Sequence, residues 1–179
     1  MSTTVSQPPG LAASPAETRR ARLFALLRIL FGVVWSIDAA YKWVPAFRTQ
    51  TLQKQFAHHL ANINTPVIHG WINFWYHVAL DHRDAFGFTV AVIETLIAIG
   101  LLTGCYSRLI FIGGAIFSAG IWTAAEGMGL PIQAGQTDIG TRCIYVLVYI
   151  ALFIGAAGSA WSIDAWFRSR GGKVSPLRG

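Results

Sequence analysis

Four stretches of mostly apolar residues alternate with polar segments along this chain. They cover residues 23–41, 85–103, 109–125 and 143–161. A helix needs roughly 17 to 25 mostly apolar residues to cross the hydrocarbon core of a bilayer, and each stretch meets that requirement. The pattern therefore predicts an all-α integral membrane protein, a bundle of four transmembrane helices within a membrane domain at residues 21–167.

The connections between the predicted spans differ in length. Residues 104–108 leave room only for a tight turn, whereas residues 42–84 form a long loop that is rich in aromatic side chains. Thr65 and Pro66 have the residue types that favour an N-cap and a first helical position. The apolar positions that follow predict a helix, to about Leu80, that lies at the outer membrane interface instead of crossing it.

Basic residues are more frequent on one side of the predicted bundle than on the other. They precede the first span, occupy the tight turn and follow the last span, at Arg19, Arg20, Arg22, Arg108, Arg168, Arg170, Lys173 and Arg178. Cytoplasmic segments carry such an excess, which predicts both termini on the cytoplasmic side of a bacterial or archaeal inner membrane. Residues 1–20 are predicted to be a disordered cytoplasmic tail, with a cleaved signal peptide as the alternative. Residues 168–179 form a second, basic tail.

Composition indicates lipid as the main partner. Of the 179 residues, 54% are hydrophobic and 12% are charged, which is more apolar surface than a soluble domain of this size buries. The formal net charge of +6 lies beside the apolar stretches, where it suits anionic lipid headgroups and not nucleic acid. Cys105 and Cys143 are predicted at opposite membrane faces, so no intramolecular disulfide is expected.

Small residues recur four positions apart in the third and fourth spans. Such spacing lets helices approach closely in lipid. The pairs include Gly114 with Ser118, Gly120 with Ala124, and Gly155 with Ser159.

Ionisable side chains inside the predicted spans are the first candidates for function, because a charge in hydrocarbon is costly. Arg28 and Glu94 differ in depth by roughly 6 Å at 1.5 Å per residue, so we predict a buried ion pair between them. Two interpretations stay open, a clamp that fixes helix register and a proton-handling or quinone-headgroup site. Asp38 and Lys42, one helical turn apart, are expected to form a partly solvated ion pair, with a substrate-facing role as the alternative.

The histidines are confined to the long outer loop, at His58, His59, His69, His77 and His82. Imidazole suits zinc and copper, so the first four are weak candidates for a metal site. No pair has a tight ligand motif. Their location also excludes a haem held by two intramembrane histidines.

The second outer segment, residues 126–142, is rich in glycine and polar residues. Such a loop can place backbone amides near a small anion. Alternatively, Thr137 or Asp138 caps the fourth helix. Cys143 is a candidate for sulfur chemistry, since the neighbouring Arg142 favours the thiolate, although burial acts in the opposite direction.

Several of these residues form a pattern that resembles the DoxX/DoxD group of small membrane proteins. The signatures in the first two spans are shared across the group, while the Thr-Asp-Ile-Gly loop resembles more particularly the DoxD-type subunit of thiosulfate:quinone oxidoreductase. The resemblance covers about residues 28–153, and Ala39 departs from it where a glycine is expected. The matching positions are 28–32, Lys42, Trp43, Glu94, 100–104, Arg108, Glu126, Gly135, 137–140 and Tyr145.

The resemblance implies oxidation of thiosulfate to tetrathionate at the outer face, with electrons passed to quinone in the bilayer. Its catalytic candidates are Glu94, Asp138 and Cys143. Its candidates for binding quinone or substrate are Arg28, Trp35, Asp38, Lys42, Trp43, Glu126 and Arg142. The sequence has no flavin, haem or iron–sulfur signature, so a partner subunit or a homo-oligomer is expected. A non-catalytic membrane scaffold and a metal-binding membrane protein are the alternatives.

Overall fold

The computed structural model describes residues 14–130, 139–171 and 177, and every regular element in these ranges is helical. The α-helices in the described ranges are α1 (Pro15–Lys42), α2 (Leu52–Asn62), α3 (Pro66–Asp81), α4 (Arg83–Thr103), α5 (Ser107–Ala124), α6 (Thr141–Ile154) and α7 (Ile163–Ser169). A π-helical turn, Phe47–Thr51, precedes α2, and a 3₁₀ turn, Gly127–Gly129, follows α5.

Helices α1, α4 and α5 are long and apolar enough to cross a membrane. They contain or match the first three predicted spans, which makes this an all-helical membrane protein. The tight turn between α4 and α5 is confirmed. Gly104, just after α4, has a left-handed φ of 64°, a backbone conformation that glycine adopts without steric cost.

Helix α1 begins earlier than the sequence predicted. Ser14 and Glu17 form a capping box, in which the Ser14 amide donates to the Glu17 carboxylate at 2.7 Å and the Glu17 amide donates to the Ser14 hydroxyl at 3.2 Å. This reciprocal pairing satisfies amides that a helix start leaves without partners. Residues 15–20, assigned to the tail, are therefore helical, and residues 1–13 lie outside the described ranges.

The helix in the fourth predicted span is shorter than the predicted range of residues 143–161. Helix α6 has 14 residues and is therefore about 21 Å long at 1.5 Å per residue, short of the roughly 30 Å hydrocarbon core. The helix ends where the Ala156 amide bonds to the Phe153 carbonyl at 3.2 Å and the Ala157 amide bonds to the Leu152 carbonyl at 3.1 Å. This hydrogen-bond pattern, with Ala156 at a φ of 49°, is a Schellman stop.

The long outer loop folds into two helices that pack against each other. Helix α3 confirms the helix predicted after Pro66, although the Thr65 side chain makes no capping hydrogen bond. Helix α2 has no counterpart in the prediction, because its polar positions outnumber its apolar ones. Its buried Leu52 and Phe56 nevertheless pack in one apolar cluster with Ile72 of α3.

Two apolar clusters form the core. The inner cluster joins α1, α4, α5 and α6 through buried residues that include Phe31, Trp35, Leu101, Phe111, Tyr149 and Leu152. The second cluster joins α2 and α3 to the start of α4 and the end of α5 through residues that include Phe56, Ile63, Ile72, Ala79 and Ala124.

The small residues of the predicted packing pairs have different roles. A side chain at Gly114 would collide with the Tyr149 ring of α6, and one at Gly155 would collide with the Phe24 ring of α1. These two positions are close approaches, as expected. A β-carbon at Gly120 would meet nothing within 4 Å, so this glycine is not a point of close approach between helices.

The predicted ion pair between Arg28 and Glu94 is wrong. The buried Arg28 donates instead to the Leu101 carbonyl at 2.9 Å and to the Trp161 carbonyl at 2.6 Å. Leu101 lies in the last turn of α4, where helix carbonyls lack intrahelical partners. Arg28 is therefore a structural clamp that joins α1, the end of α4 and the chain after α6.

Helix α7 contacts the α4–α5 turn at the same end of the bundle as Arg28. The buried Asp164 accepts hydrogen bonds from the Tyr106 amide at 3.1 Å and the Ser107 amide at 2.7 Å, and so caps α5. Its negative charge also attracts Arg28. The predicted basic tail thus begins inside α7, whose last residue is Ser169.

Candidate functional site

Arg142, in the first turn of α6, is the centre of a cluster of charges between the two apolar cores. Its guanidinium Nη2 lies 3.3 Å from Asp38 Oδ2 and 3.7 Å from Glu94 Oε1, and its Nε lies 3.9 Å from Glu126 Oε1. Arg142 is 6% exposed and Glu94 is fully buried. One arginine therefore joins three carboxylates that come from α1, α4 and the segment after α5.

Glu126 also fixes where α6 begins. The Arg142 backbone amide donates to Glu126 Oε2 at 3.1 Å, which satisfies one of the amides exposed at a helix start. The N-cap residue is Gly140, and it has no side chain to contribute. The cap predicted at Thr137 or Asp138 stays a prediction, because both residues lie outside the described ranges.

Aromatic rings enclose the guanidinium group. The Arg142 Cζ atom lies 4.9 Å from the centroid of Trp35 and 4.8 Å from that of Tyr145. The Tyr145 hydroxyl donates to Asp38 Oδ2 at 3.0 Å. Cation–π contacts of this kind are strongest where water is excluded, so Trp35 and Tyr145 hold Arg142 in one orientation.

Lys42, the last residue of α1, has a different partner from the predicted one. Its Nζ lies 4.4 Å from the Phe47 ring centroid, and no ion pair within 4 Å joins it to Asp38 among the described residues. Asp38 is paired with Arg142 instead, because α6 brings a second cation to the same face of α1. Glu94 is the strongest electrostatic attraction on Lys42.

A cavity of about 320 Å³ adjoins this cluster. Its polar end is formed by Lys42, Glu94, Glu126 and Arg142. The remaining wall is mostly apolar and comes from the π-helical turn, α2, α3, α4 and α5. Its residues include Phe47, Leu52, Phe56, Trp75, Phe86, Val90, Phe117 and Ile121. Gly120 also lines the cavity, which explains the open space at its α-carbon.

Polar atoms at this end of the cavity lack hydrogen-bond partners. Both carboxylate oxygens of Glu94 and the Nη1 atom of Arg142 are buried without one. Leaving such groups unsatisfied costs about 1 to 3 kcal/mol each, more when they are charged. The cluster also contains one carboxylate more than it has cations, since Asp38, Glu94 and Glu126 face Lys42 and Arg142. The pocket therefore suits a ligand that accepts from Arg142 and exchanges a proton with Glu94.

The structure brings together six of the ten predicted site residues, namely Trp35, Asp38, Lys42, Glu94, Glu126 and Arg142.

Three other predicted site residues, Arg28, Trp43 and Cys143, are not part of this cluster. Arg28 belongs to the inner clamp, and Trp43 donates to the Thr95 hydroxyl at 3.1 Å on an exposed face. Cys143 is a half-buried free thiol that does not line the cavity. Asp138 lies outside the described ranges.

The histidines do not assemble a metal site within the described residues. No group of three His, Cys, Asp or Glu side chains there is arranged to hold a metal ion. His58 and His59 have ring centroids 5.5 Å apart. Burial and the neighbouring His58 lower the pKa of His59 below its usual value, because both penalise the imidazolium.

Three side chains, Tyr145, Tyr149 and Asp164, were not among the predicted site residues. Tyr145 and Tyr149 follow Arg142 at three and seven residues, a spacing that places all three on one helix face, and this signal was available. Asp164 had a weaker signal, a lone carboxylate in the apolar segment after residue 160. Its partners, the amides of Tyr106 and Ser107, are far away in the sequence.

Comparisons with family models, with curated proteins and with solved structures gave no match to this chain. The fold and the site together define an all-helical membrane protein with a buried charged pocket. The resemblance to the DoxX/DoxD group stays a prediction.

Proposed function

We propose that the pocket binds the headgroup of a membrane quinone and that this chain is a membrane redox subunit. The proposal rests on one observation. The Glu94 carboxylate and Arg142 Nη1 lack hydrogen-bond partners, and both residues border a cavity that is lined by aromatic side chains. A quinone ring is flat and apolar and has two carbonyl oxygens. Pockets that hold such ligands are mostly apolar, with a few convergent polar groups.

The residues at the polar end have separate tasks in this proposal. Arg142 Nη1 donates a hydrogen bond to one carbonyl oxygen and stabilises the negative charge that develops there on reduction. Protonated Glu94 gives its proton to the reduced ring, and water at the outer end restores it by way of the partly exposed Glu126 and Asp38. Quinone reduction takes up two electrons and two protons, so this cycle runs twice.

Asp38, Tyr145 and Trp35 position the site and do not react. They hold the guanidinium at fixed distances, which keeps its free edge directed at the ligand. Preorganised donors of this kind contribute more than mobile ones, because they need no reorganisation during the reaction.

The electron donor is the part of the proposal that rests on the resemblance. Two thiosulfate dianions give one tetrathionate dianion and two electrons, which balances the reduction of one quinone. Because the sequence has no flavin, haem or iron–sulfur signature, a partner subunit is proposed to carry the electrons.

The test separates quinone binding from thiosulfate oxidation. The purified protein in nanodiscs is titrated with a short-chain quinone, and quinone reduction with thiosulfate is then measured with and without native membrane partners. We expect binding by the protein alone and reduction with the partners. Glu94→Gln should retain binding and lose reduction, whereas Asp84→Asn, an exposed acid on the same helix, should retain both.

Failure to bind quinone would overturn the proposal and leave the scaffold hypothesis. Binding without thiosulfate-dependent reduction under either condition would reject thiosulfate as donor and keep the pocket.

A further inference from the structure

A second groove lies at the opposite end of α1 from the charged pocket. Its volume is about 480 Å³. One wall consists of the first turns of α1, including Thr18, Arg19, Arg22, Leu23 and Leu26, and Trp161 forms the other wall. The groove is far from the charged pocket along α1, so it is independent of quinone binding.

The wall of this groove changes from polar to apolar along the helix. Thr18, Arg19 and Arg22 come first, and Leu23 and Leu26 follow. These two leucines are 57% and 45% exposed, at the point where the apolar span begins. Eight residues of helix separate Thr18 from Leu26, about 12 Å at 1.5 Å per residue. The groove thus has a cationic end and an apolar end, as the membrane interface does.

The two arginines of the groove are available for a ligand. Neither Arg19 nor Arg22 forms an ion pair among the described residues. Other arginines at this end are already engaged. Arg20 lies over the Phe24 ring at 5.8 Å, Arg170 lies over the Trp166 ring at 4.2 Å, and Arg168 donates to the Gly158 carbonyl at 3.0 Å.

Trp161 is held in place by a buried contact. Its carbonyl accepts the 2.6 Å hydrogen bond from Arg28, and its backbone has a left-handed φ of 46°. A non-glycine residue in that region is uncommon and needs support from its surroundings. The indole itself is 58% exposed, and tryptophan is enriched at the level of lipid headgroups. The backbone that carries the aromatic wall of the groove is therefore held in place.

We infer that this groove binds one anionic glycerophospholipid. The phosphate lies between the Arg19 and Arg22 guanidinium groups, and the acyl chains follow Leu23 and Leu26 into the bilayer. Arginine is suited to this role, because its planar fork donates two parallel hydrogen bonds to a phosphate. A zwitterionic lipid has the same phosphate but adds a cation that the two arginines repel.

The test compares lipids and charge-matched variants in detergent. Native mass spectrometry measures the affinity of phosphatidylglycerol and of phosphatidylcholine, and soluble glycerol phosphate serves as a third arm for headgroup chemistry without acyl chains. The groove variant is Arg19→Gln with Arg22→Gln. The control, Arg20→Gln with Arg170→Gln, removes the same charge from the same end of the bundle.

We expect the wild type to prefer phosphatidylglycerol over phosphatidylcholine and to bind glycerol phosphate least. The groove variant should bind phosphatidylglycerol about 25-fold more weakly, because each arginine near an anionic headgroup contributes about a factor of five. The control should change the affinity less than about threefold, because Arg20 and Arg170 do not line the groove and salt screens charges that do not contact the phosphate.

Equal losses in both variants would show a diffuse charge effect and overturn the inference. So would equal affinity for the two lipids, or no phosphatidylglycerol adduct on the wild type. If the groove variant fails to fold, the single variants Arg19→Gln and Arg22→Gln, each compared with Arg20→Gln, decide the question by the same criterion.

Discussion

Glu94 and Arg142 form an ion pair, yet replacing Glu94 should affect stability much less than replacing Arg142. At the 3.7 Å separation of Arg142 Nη2 and Glu94 Oε1, two charges attract by about 4 kcal/mol at an effective dielectric constant near 20. Burying a carboxylate costs several kcal/mol, and both oxygens of Glu94 lack hydrogen bonds. The attraction between the two charges and the cost of burying the Glu94 carboxylate nearly cancel. We expect Glu94→Gln to change the free energy of unfolding by less than about 1 kcal/mol.

Arg142→Gln should instead be severely destabilising. It removes the shared partner of Asp38, Glu94 and Glu126 and leaves Lys42 as the one cation of the cluster. Breaking a buried ion pair by deleting one partner costs about 3 to 5 kcal/mol, because the remaining charge stays buried and uncompensated.

The measurement is thermal and denaturant unfolding of both variants in the same detergent, with quinone reduction assayed in parallel. Arg83→Gln, a solvent-exposed arginine at the start of α4, is the control for loss of a positive charge. A cost for Glu94→Gln as large as that for Arg142→Gln would refute the reasoning. Glu94 would then have a structural role as the partner of Arg142, and the proposed proton transfer by Glu94 would be abandoned.

Three further changes test other parts of the structure. Gly120→Leu should fill the cavity and weaken quinone binding at least tenfold without unfolding the protein, whereas Gly113→Leu, at another glycine with open space, should leave binding unchanged in the same titration. Asp164→Ala should cost about 1 to 3 kcal/mol in unfolding experiments, because two buried backbone amides lose their acceptor. Because the pKa of His59 is lowered in the folded protein, the imidazole takes up a proton at higher pH in the unfolded chain than in the folded one. Stability should therefore fall as the pH drops from about 7 to 5. His59→Gln should flatten this pH dependence in thermal melts, and the exposed His69→Gln should not.

Helix α5 and the turn before it show what local sequence predicts well. Hydropathy over some 20 residues depends on the segment alone, because lipid is the same partner for every span. The start and end of α4 and α5 followed from composition and from Gly104. The end of α6 could not be predicted in this way. The Schellman motif there places Ala156 in a left-handed backbone conformation, for which alanine has no intrinsic preference. Gly155 also packs closely on Phe24 at this point.

The charged residues show the limit of the same information. Counting residues along a helix gives the depth of a side chain, and depth alone made Arg28 and Glu94 plausible partners. It does not give the direction in which each side chain points, which depends on how the helices pack. The Asp38 carboxylate meets Tyr145 across 107 residues of sequence, a distance at which no local pattern specifies a contact.

The sequence by itself determined that this protein is helical, that it enters a membrane, and which ionisable residues needed an explanation. These properties follow from the transfer of single segments into lipid, where each residue contributes on its own. The tertiary structure decided that Arg142 and not Arg28 pairs with Glu94, that Glu126 caps α6, and that Gly120 borders a cavity. Those outcomes depend on several helices meeting at one place, and the physical reason is that a buried charge selects whichever partner the packing brings within reach.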